Sequence, residues 1–197
     1  THLAYKAENV VDLKTDLILA AEIYHADDPD TNTLVDSVMA AQHHLSQAGL
    51  KHSIDEVAAD KGYHKAETLE LAEGLRLRTY IPEPQRQHDR VWTDKPEHYQ
   101  RAVTNNRRRT RRVKGRRLQR QRSELVERTF AHMCQTGGGR RSWLCGIEKV
   151  RKRWLMQGAA RNLGLVLRKL FGIGTARALQ DAGRLALRVY VAWLIAW

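Results

Sequence analysis

The sequence predicts an α/β or α+β protein in which helices cover a mixed sheet. Three observations lead to this fold class. Short runs of alternating or apolar residues, typical of strands, occupy 3–11, 17–24, 56–59 and 78–81. Longer segments with helical spacing of apolar residues lie between and after them. Alternation of the two element types along a chain favours a layered sheet with helices on its faces.

The first two strands are expected to form a hairpin. Residues 3–11 alternate between apolar and polar side chains, and residues 17–24 form a second run rich in apolar residues. The segment 14–16, Lys-Thr-Asp, between them has the composition of a turn.

The middle of the chain alternates helices and strands. Residues 31–48 predict a helix whose apolar stripe contains Leu34, Val38, Ala41 and Leu45. A buried strand over 56–59 then leads to Asp60, a second helix covers 66–73, and a strand covers 78–81 before the prolines.

The periodic pattern is lost from residue 85 to about residue 100, which predicts a loop or insertion. Residues 105–122 then contain ten Lys or Arg in 18 positions, without any acid or aromatic residue. This composition predicts a phosphate-binding tract that is either a solvated helix or disordered until it binds. Its basic residues are Arg107, Arg108, Arg109, Arg111, Arg112, Lys114, Arg116, Arg117, Arg120 and Arg122.

Two helices are predicted after this tract. One covers 123–134, with Ser123 as its cap, and ends before three consecutive glycines. The last covers about 147–170, and its stripe is expected to be Ile147, Val150, Trp154, Leu163, Val166 and Leu170. The apolar stretch 185–197 is too short for a membrane span, which needs about 20 residues, and predicts a packing element or a subunit interface.

The charge of the chain is divided between its halves. The formal net charge is +12, but residues 1–100 hold 10 basic and 18 acidic side chains, whereas residues 101–197 hold 24 and 4. The excess of positive charge indicates an anionic partner, and nucleic acid is the first candidate. A solvated basic surface without a specific ligand is the alternative. The two cysteines match no zinc pattern and are interpreted as buried thiols in a reducing compartment.

Two acids are candidates for chemistry. Asp60 follows an apolar strand, and ligand sites of α/β sheets tend to lie beyond the carboxyl ends of strands; its alternative role is to cap the following turn. Glu127 lies beside Val126 and Phe130, which predicts that it borders the core, next to many cations that favour its ionised form. A surface glutamate paired with a neighbouring arginine is the alternative. Carboxylates from distant positions are what a Mg²⁺-dependent phosphoryl transfer requires.

The sequence resembles a known family at two blocks. The first is Ala-Asp-Lys-Gly-Tyr at 59–63, and the second is Val-Glu-Arg-Thr-Phe-Ala-His at 126–132, followed by the region 137–165. These blocks are similar to the second and third catalytic-acid regions of DDE transposases from bacterial insertion sequences. The opening residues 2–12 look like the strand that follows the first catalytic aspartate.

The resemblance implies a ribonuclease-H-like fold in a catalytic domain over 1–174, with a basic insertion at about 85–122 and an apolar tail over 175–197. It implies that Asp60 and Glu127 bind Mg²⁺ or Mn²⁺ and catalyse DNA cleavage and strand transfer, and that the basic tract binds DNA. The family's first aspartate has no counterpart here and is expected upstream, so an inactive, nucleic-acid-binding remnant is the alternative. A further hypothesis is a basic RNA-binding protein, which would explain the positive charge but not the two acid blocks.

The implied partners are the DNA of the element ends and the target, with no membrane, and a homo-oligomer is left open. The implied location is the bacterial cytoplasm, at the nucleoid.

Overall fold

A computed structural model describes residues 5–85, 92, 93, 95–172, 180, 183, 184, 187, 190 and 191. Four strands and five α-helices lie within these residues. They are β1 (Tyr5–Val11), β2 (Ile18–His25), α1 (Asp30–Gln47), β3 (Glu56–Ala58), α2 (Ala66–Gly74), β4 (Arg78–Tyr80), α3 (Glu97–Arg111), α4 (Val113–Ala131) and α5 (Ile147–Phe171).

The predicted hairpin is confirmed: β1 and β2 pair antiparallel, with Tyr5 opposite His25. Asp12 forms its turn by accepting hydrogen bonds from the Lys14 and Thr15 backbone N–H groups. Asp16 then adopts a left-handed conformation at φ 66°. An aspartate tolerates this conformation better than most residues, so the turn composition explains the hairpin.

The strands form two separate pairs among the described residues. β3 and β4 run parallel, with Val57 opposite Thr79, whereas β1 pairs with β2. The α/β class is therefore confirmed, but the expected single mixed sheet is not observed in this part of the chain. α1 packs on β2 and also touches α2, so helices connect the two strand pairs.

Two apolar clusters form most of the core. The first joins α1, α2 and α3 to the β3–β4 pair and contains Leu34, Ala59, Ala66, Leu69, Ile81, Ala102 and Val103. The second joins the hairpin to the last two helices and contains Ile18, Ala21, Ile23, Met133 and Trp154.

The segment expected to be an irregular insertion is partly a core helix. α3 buries Ala102, Val103 and Asn106. The Asn106 side chain accepts a hydrogen bond from the Ile81 N–H at 3.0 Å and donates one to the Ile81 carbonyl at 2.8 Å. Just beyond the end of β4, the Asn106 side chain thus pairs with the Ile81 backbone as a neighbouring strand would. The part of the prediction that falls on 86–91 and 94 lies outside the described residues.

The helix that carries Glu127 begins at Val113, ten residues before the predicted cap at Ser123. The residues between them are mostly arginine, glutamine and leucine, which are good helix formers. Gly115 is compatible because it is buried against α3: a Cβ there would lie 2.3 Å from the Arg109 carbonyl oxygen. The basic tract is therefore folded into the end of α3 and the first half of α4.

The buried stripe of α5 differs from the predicted one in its second half. Trp154, Gly158, Arg161 and Leu165 are buried, while Leu163 and Leu170 are 60% and 73% exposed. The predicted stripe was assigned from apolar side chains alone, whereas α5 also turns Gly158 and the ion-paired Arg161 inward.

The tail over 175–197 lies mostly outside the described residues, and the few that are described are exposed. Within the described part of the chain, no helix is both long and apolar enough to cross a membrane.

Candidate functional site

Asp60 lies two residues beyond the end of β3 and starts a single helical turn, Lys61–Tyr63. Its Oδ1 accepts a hydrogen bond from the Lys61 N–H at 2.6 Å, which is the capping role named above as the alternative. The side chain is exposed, and Oδ2 forms no hydrogen bond with the described residues. Capping therefore fixes one oxygen and leaves the other available to a ligand.

The residues after Asp60 dock this turn on β1 and the start of α1. A Cβ at position 62 would lie 2.8 Å from the Asp30 Oδ2, so glycine allows that carboxylate to approach. Burial raises the pKa of the Tyr63 hydroxyl, and the negative charges of Glu8, Asp30 and Asp60 raise it further. Tyr63 therefore lies among three carboxylates from three elements.

Glu8 is a buried carboxylate that the sequence analysis did not single out. It accepts hydrogen bonds from the hydroxyls of Thr33 and Ser37, the second at 2.7 Å, and Lys6 lies 3.2 Å away. Because side chains alternate along a strand, Lys6 and Glu8 lie on the same face of β1. This pair of opposite charges was the signal in the sequence that could have identified Glu8. Its donors satisfy Glu8, so the residue supports the position of Tyr63 rather than offering free ligand atoms.

Glu127 is exposed on α4, so the prediction that it borders the core is wrong. The buried positions of α4 are Gly115 and Thr129, which turn a different face inward. The Ser123 hydroxyl, one turn earlier, donates a hydrogen bond to Glu127 Oε1 at 2.8 Å. This bond orients the carboxylate and leaves Oε2 without a hydrogen bond among the described residues.

Gln119 connects α4 to the strand ends beside Asp60. Its side-chain amide donates to the Ala59 carbonyl at 3.0 Å and also to the Tyr80 carbonyl. α4 therefore crosses the carboxyl ends of β3 and β4. Glu127 lies eight residues further along the helix, a rise of about 12 Å.

The two predicted acids thus belong to elements in direct contact. They are not part of a three-ligand group, because the described residues contain no cluster of three or more His, Cys, Asp or Glu that could hold a metal ion. Each supplies one exposed carboxylate oxygen without a hydrogen bond. Hard oxygen donors of this kind suit Mg²⁺, which binds through one or two carboxylates together with water and phosphate.

The ten basic residues of the predicted tract divide into two sets. Several contact the protein itself: Arg107 pairs with Glu83 at 2.8 Å, Lys114 pairs with Glu56 at 2.5 Å, and Arg109 donates to the Thr79 carbonyl at 3.1 Å. Arg122 is half-buried. Six are exposed and form no ion pair within the described structure: Arg108, Arg111, Arg112, Arg116, Arg117 and Arg120.

Charged contacts also attach the hairpin to the last helices. Arg161 is buried and donates to both the Asp16 carbonyl and the Asp16 carboxylate, the latter at 2.7 Å. Arg128, the neighbour of Glu127, binds the other Asp16 oxygen at 2.8 Å. Arg161 therefore has a structural role: together with Arg128 it anchors the turn between β1 and β2 to α5 and α4.

Comparison with known proteins agrees with the resemblance noted in the sequence. The family model described as Transposase DDE domain matches residues 1–163. No curated protein and no solved structure matches the chain. The match covers both acid blocks, the exposed arginines and most of α5.

Proposed function

The chain belongs to the transposase DDE-domain family, and we propose that it acts in metal-dependent cleavage and strand transfer of DNA. The observation that carries the proposal is the position of α4. This helix bears Glu127 and several unpaired arginines, and through Gln119 it binds the strand ends next to Asp60. Acid ligands and a phosphate-binding surface are thereby joined on contacting elements.

Each group has a distinct role in this proposal. Asp60 and Glu127 would hold divalent metal, Mg²⁺ or Mn²⁺, which supplies charge stabilisation for the attacking and leaving oxygens of phosphoryl transfer. Ser123 keeps the Glu127 carboxylate oriented. The exposed arginines hold the DNA backbone, which positions the strand without selecting its sequence. The third acid would come from a ribonuclease-H-like strand upstream of Thr1.

The proposal is tested with the chain extended upstream to include that strand. We expect Mg²⁺-dependent nicking of duplex DNA, lost when EDTA removes the metal and lost in Asp60→Asn. Asp55→Asn is the matched control, because Asp55 lies in the same segment and is exposed. Binding without any cleavage under these conditions would contradict the proposal and favour the nucleic-acid-binding remnant.

The exposed arginines give a second prediction. Replacing Arg116, Arg117 and Arg120 together with glutamine should flatten the dependence of DNA affinity on salt. Each phosphate contact contributes about 0.9 to the slope of log K against log salt, so the slope should fall by about 2.7. Fluorescence anisotropy over a salt series measures it, and the loss should be the same for all DNA sequences.

Arg107→Gln is the control for this measurement, because that side chain is already paired with Glu83. Its slope should match that of the unchanged chain. An unchanged slope in the triple variant, or a loss confined to one DNA sequence, would show that these arginines do not bind the phosphate backbone.

A further inference from the structure

The loop between α4 and α5 presents an aromatic side chain to solvent. Trp143 is 80% exposed, more than any other large hydrophobic side chain in the described structure. The neighbouring Arg140 and Arg141 are also exposed. Tryptophan is enriched at binding interfaces, because its large apolar ring stabilises a complex when the partner covers it.

The loop is fixed to α5 by side chains. Arg153 donates one hydrogen bond to the Arg141 carbonyl at 2.8 Å and another to the Gly138 carbonyl at 2.9 Å. One turn later, Gln157 donates to the Gly137 carbonyl at 2.7 Å. The backbone that leads to Trp143 is therefore fixed before any ligand arrives, which lowers the entropy cost of binding.

One face of the indole is already covered by a cation. The Arg153 guanidinium lies 4.3 Å from the centre of the Trp143 ring. Both groups of Arg153 that donate hydrogen bonds are directed to neutral carbonyls, so its positive charge is not neutralised. The exposure of the ring leaves its opposite face open to a second flat group.

The charge around this loop defines the ligand. No acid occurs from residue 129 to residue 147, and Arg140, Arg141 and Arg153 form no ion pair among the described residues. The complementary ligand is anionic and carries a flat aromatic ring. Among macromolecules, a nucleic acid with an unstacked base has both properties.

We propose that Trp143 stacks on an unpaired base of the DNA substrate while Arg140 and Arg141 bind the adjacent phosphates. This inference rests on the proposed function, since it takes DNA as the substrate. It adds Trp143, Arg140 and Arg141 as residues that bind distorted or single-stranded DNA. Intact duplex offers no free base face away from its ends, so the site distinguishes unpaired from paired DNA.

The test compares two labelled DNA molecules of equal duplex length, one blunt and one with a short single-stranded extension. Stacking on one aromatic side chain changes affinity by about tenfold. Trp143→Ala should therefore weaken binding to the extended DNA about tenfold and leave blunt-duplex affinity within about twofold. Trp143→Phe keeps an aromatic face and should retain most of the affinity.

Leu170→Ala is the matched control, since Leu170 is a 73% exposed apolar residue at the C-terminal end of α5, the helix to which the loop is fixed. It should affect neither DNA. Equal losses for both DNA molecules in Trp143→Ala, or no loss for either, would overturn the inference while leaving the proposed function intact. Absence of all DNA binding by the unchanged chain would overturn both. Loss of self-association in Trp143→Ala, measured by sedimentation, with unchanged DNA affinities would assign the site to a second copy of this chain.

Discussion

Replacing Glu127 with glutamine is expected to reduce DNA cleavage by the upstream-extended chain at least about a hundredfold. Glutamine keeps the size of the side chain and can still accept the hydrogen bond from Ser123, but it removes the charge that would bind a divalent cation. Metal ions contribute several kcal/mol to transition states of this class, and each 1.36 kcal/mol changes the rate tenfold. Gel assays of nicked DNA measure the loss.

Glu124→Gln is the control for this prediction. Glu124 lies on the same helix, three residues before Glu127, is 70% exposed and lies 3.7 Å from Arg128. Because exposed ion pairs contribute little to stability, this variant should cleave DNA at nearly the unchanged rate. Equal losses in the two variants would indicate a general effect of the charge of α4, and an active Glu127→Gln would remove Glu127 from the catalytic residues.

Replacing Arg161 with methionine is expected to lower the free energy of unfolding by about 3 kcal/mol. Arg161 is 6% exposed, and Asp16 is 8% exposed. Removing one member of a buried pair leaves a desolvated charge behind, which costs about 3–5 kcal/mol. The lower end applies because Arg128 still binds the other oxygen of Asp16. Urea denaturation followed by circular dichroism measures the change.

The matched control is Arg168→Met on the same helix. Arg168 is exposed, and surface substitutions change stability by no more than about 0.5 kcal/mol. If Arg161→Met is no more destabilising than this control, the Asp16 contact does not hold the hairpin to α5.

Local sequence signals predicted the elements that depend on neighbouring residues. The hairpin followed from alternation and the Lys-Thr-Asp turn at 14–16, and α1 followed from the spacing of Leu34, Val38 and Ala41, all of which are buried. Asp60 was expected at the end of a strand over 56–59 and lies two residues beyond the end of β3, which is one residue shorter. These features need only contacts within a few residues or a single amphipathic face.

Features that depend on distant partners were not predicted. The burial of Asn106 requires the free backbone of Ile81, 25 residues earlier. Because α3 is rich in arginine, its buried face could not be recognised from the sequence. The inward position of Arg161 depends on its partner Asp16, which lies 145 residues away in the sequence. For Glu127, apolar neighbours indicated a position beside the core, whereas packing of α4 turned the residue outward.

The catalytic assignments have a physical limit of the same kind. Residue types and their order indicated acids that suit a metal, and the family match agrees with the chemistry that they imply. Convergence of carboxylates is set by packing between helices and strands that are far apart in sequence.

The most direct test of the central claim is anomalous diffraction from crystals of the upstream-extended chain soaked in Mn²⁺. We expect a manganese ion bound by carboxylate oxygens of both Asp60 and Glu127, at about 2.1 Å from each. A manganese ion that binds neither residue, or only one of them, would contradict the assignment of these two acids to a shared metal site.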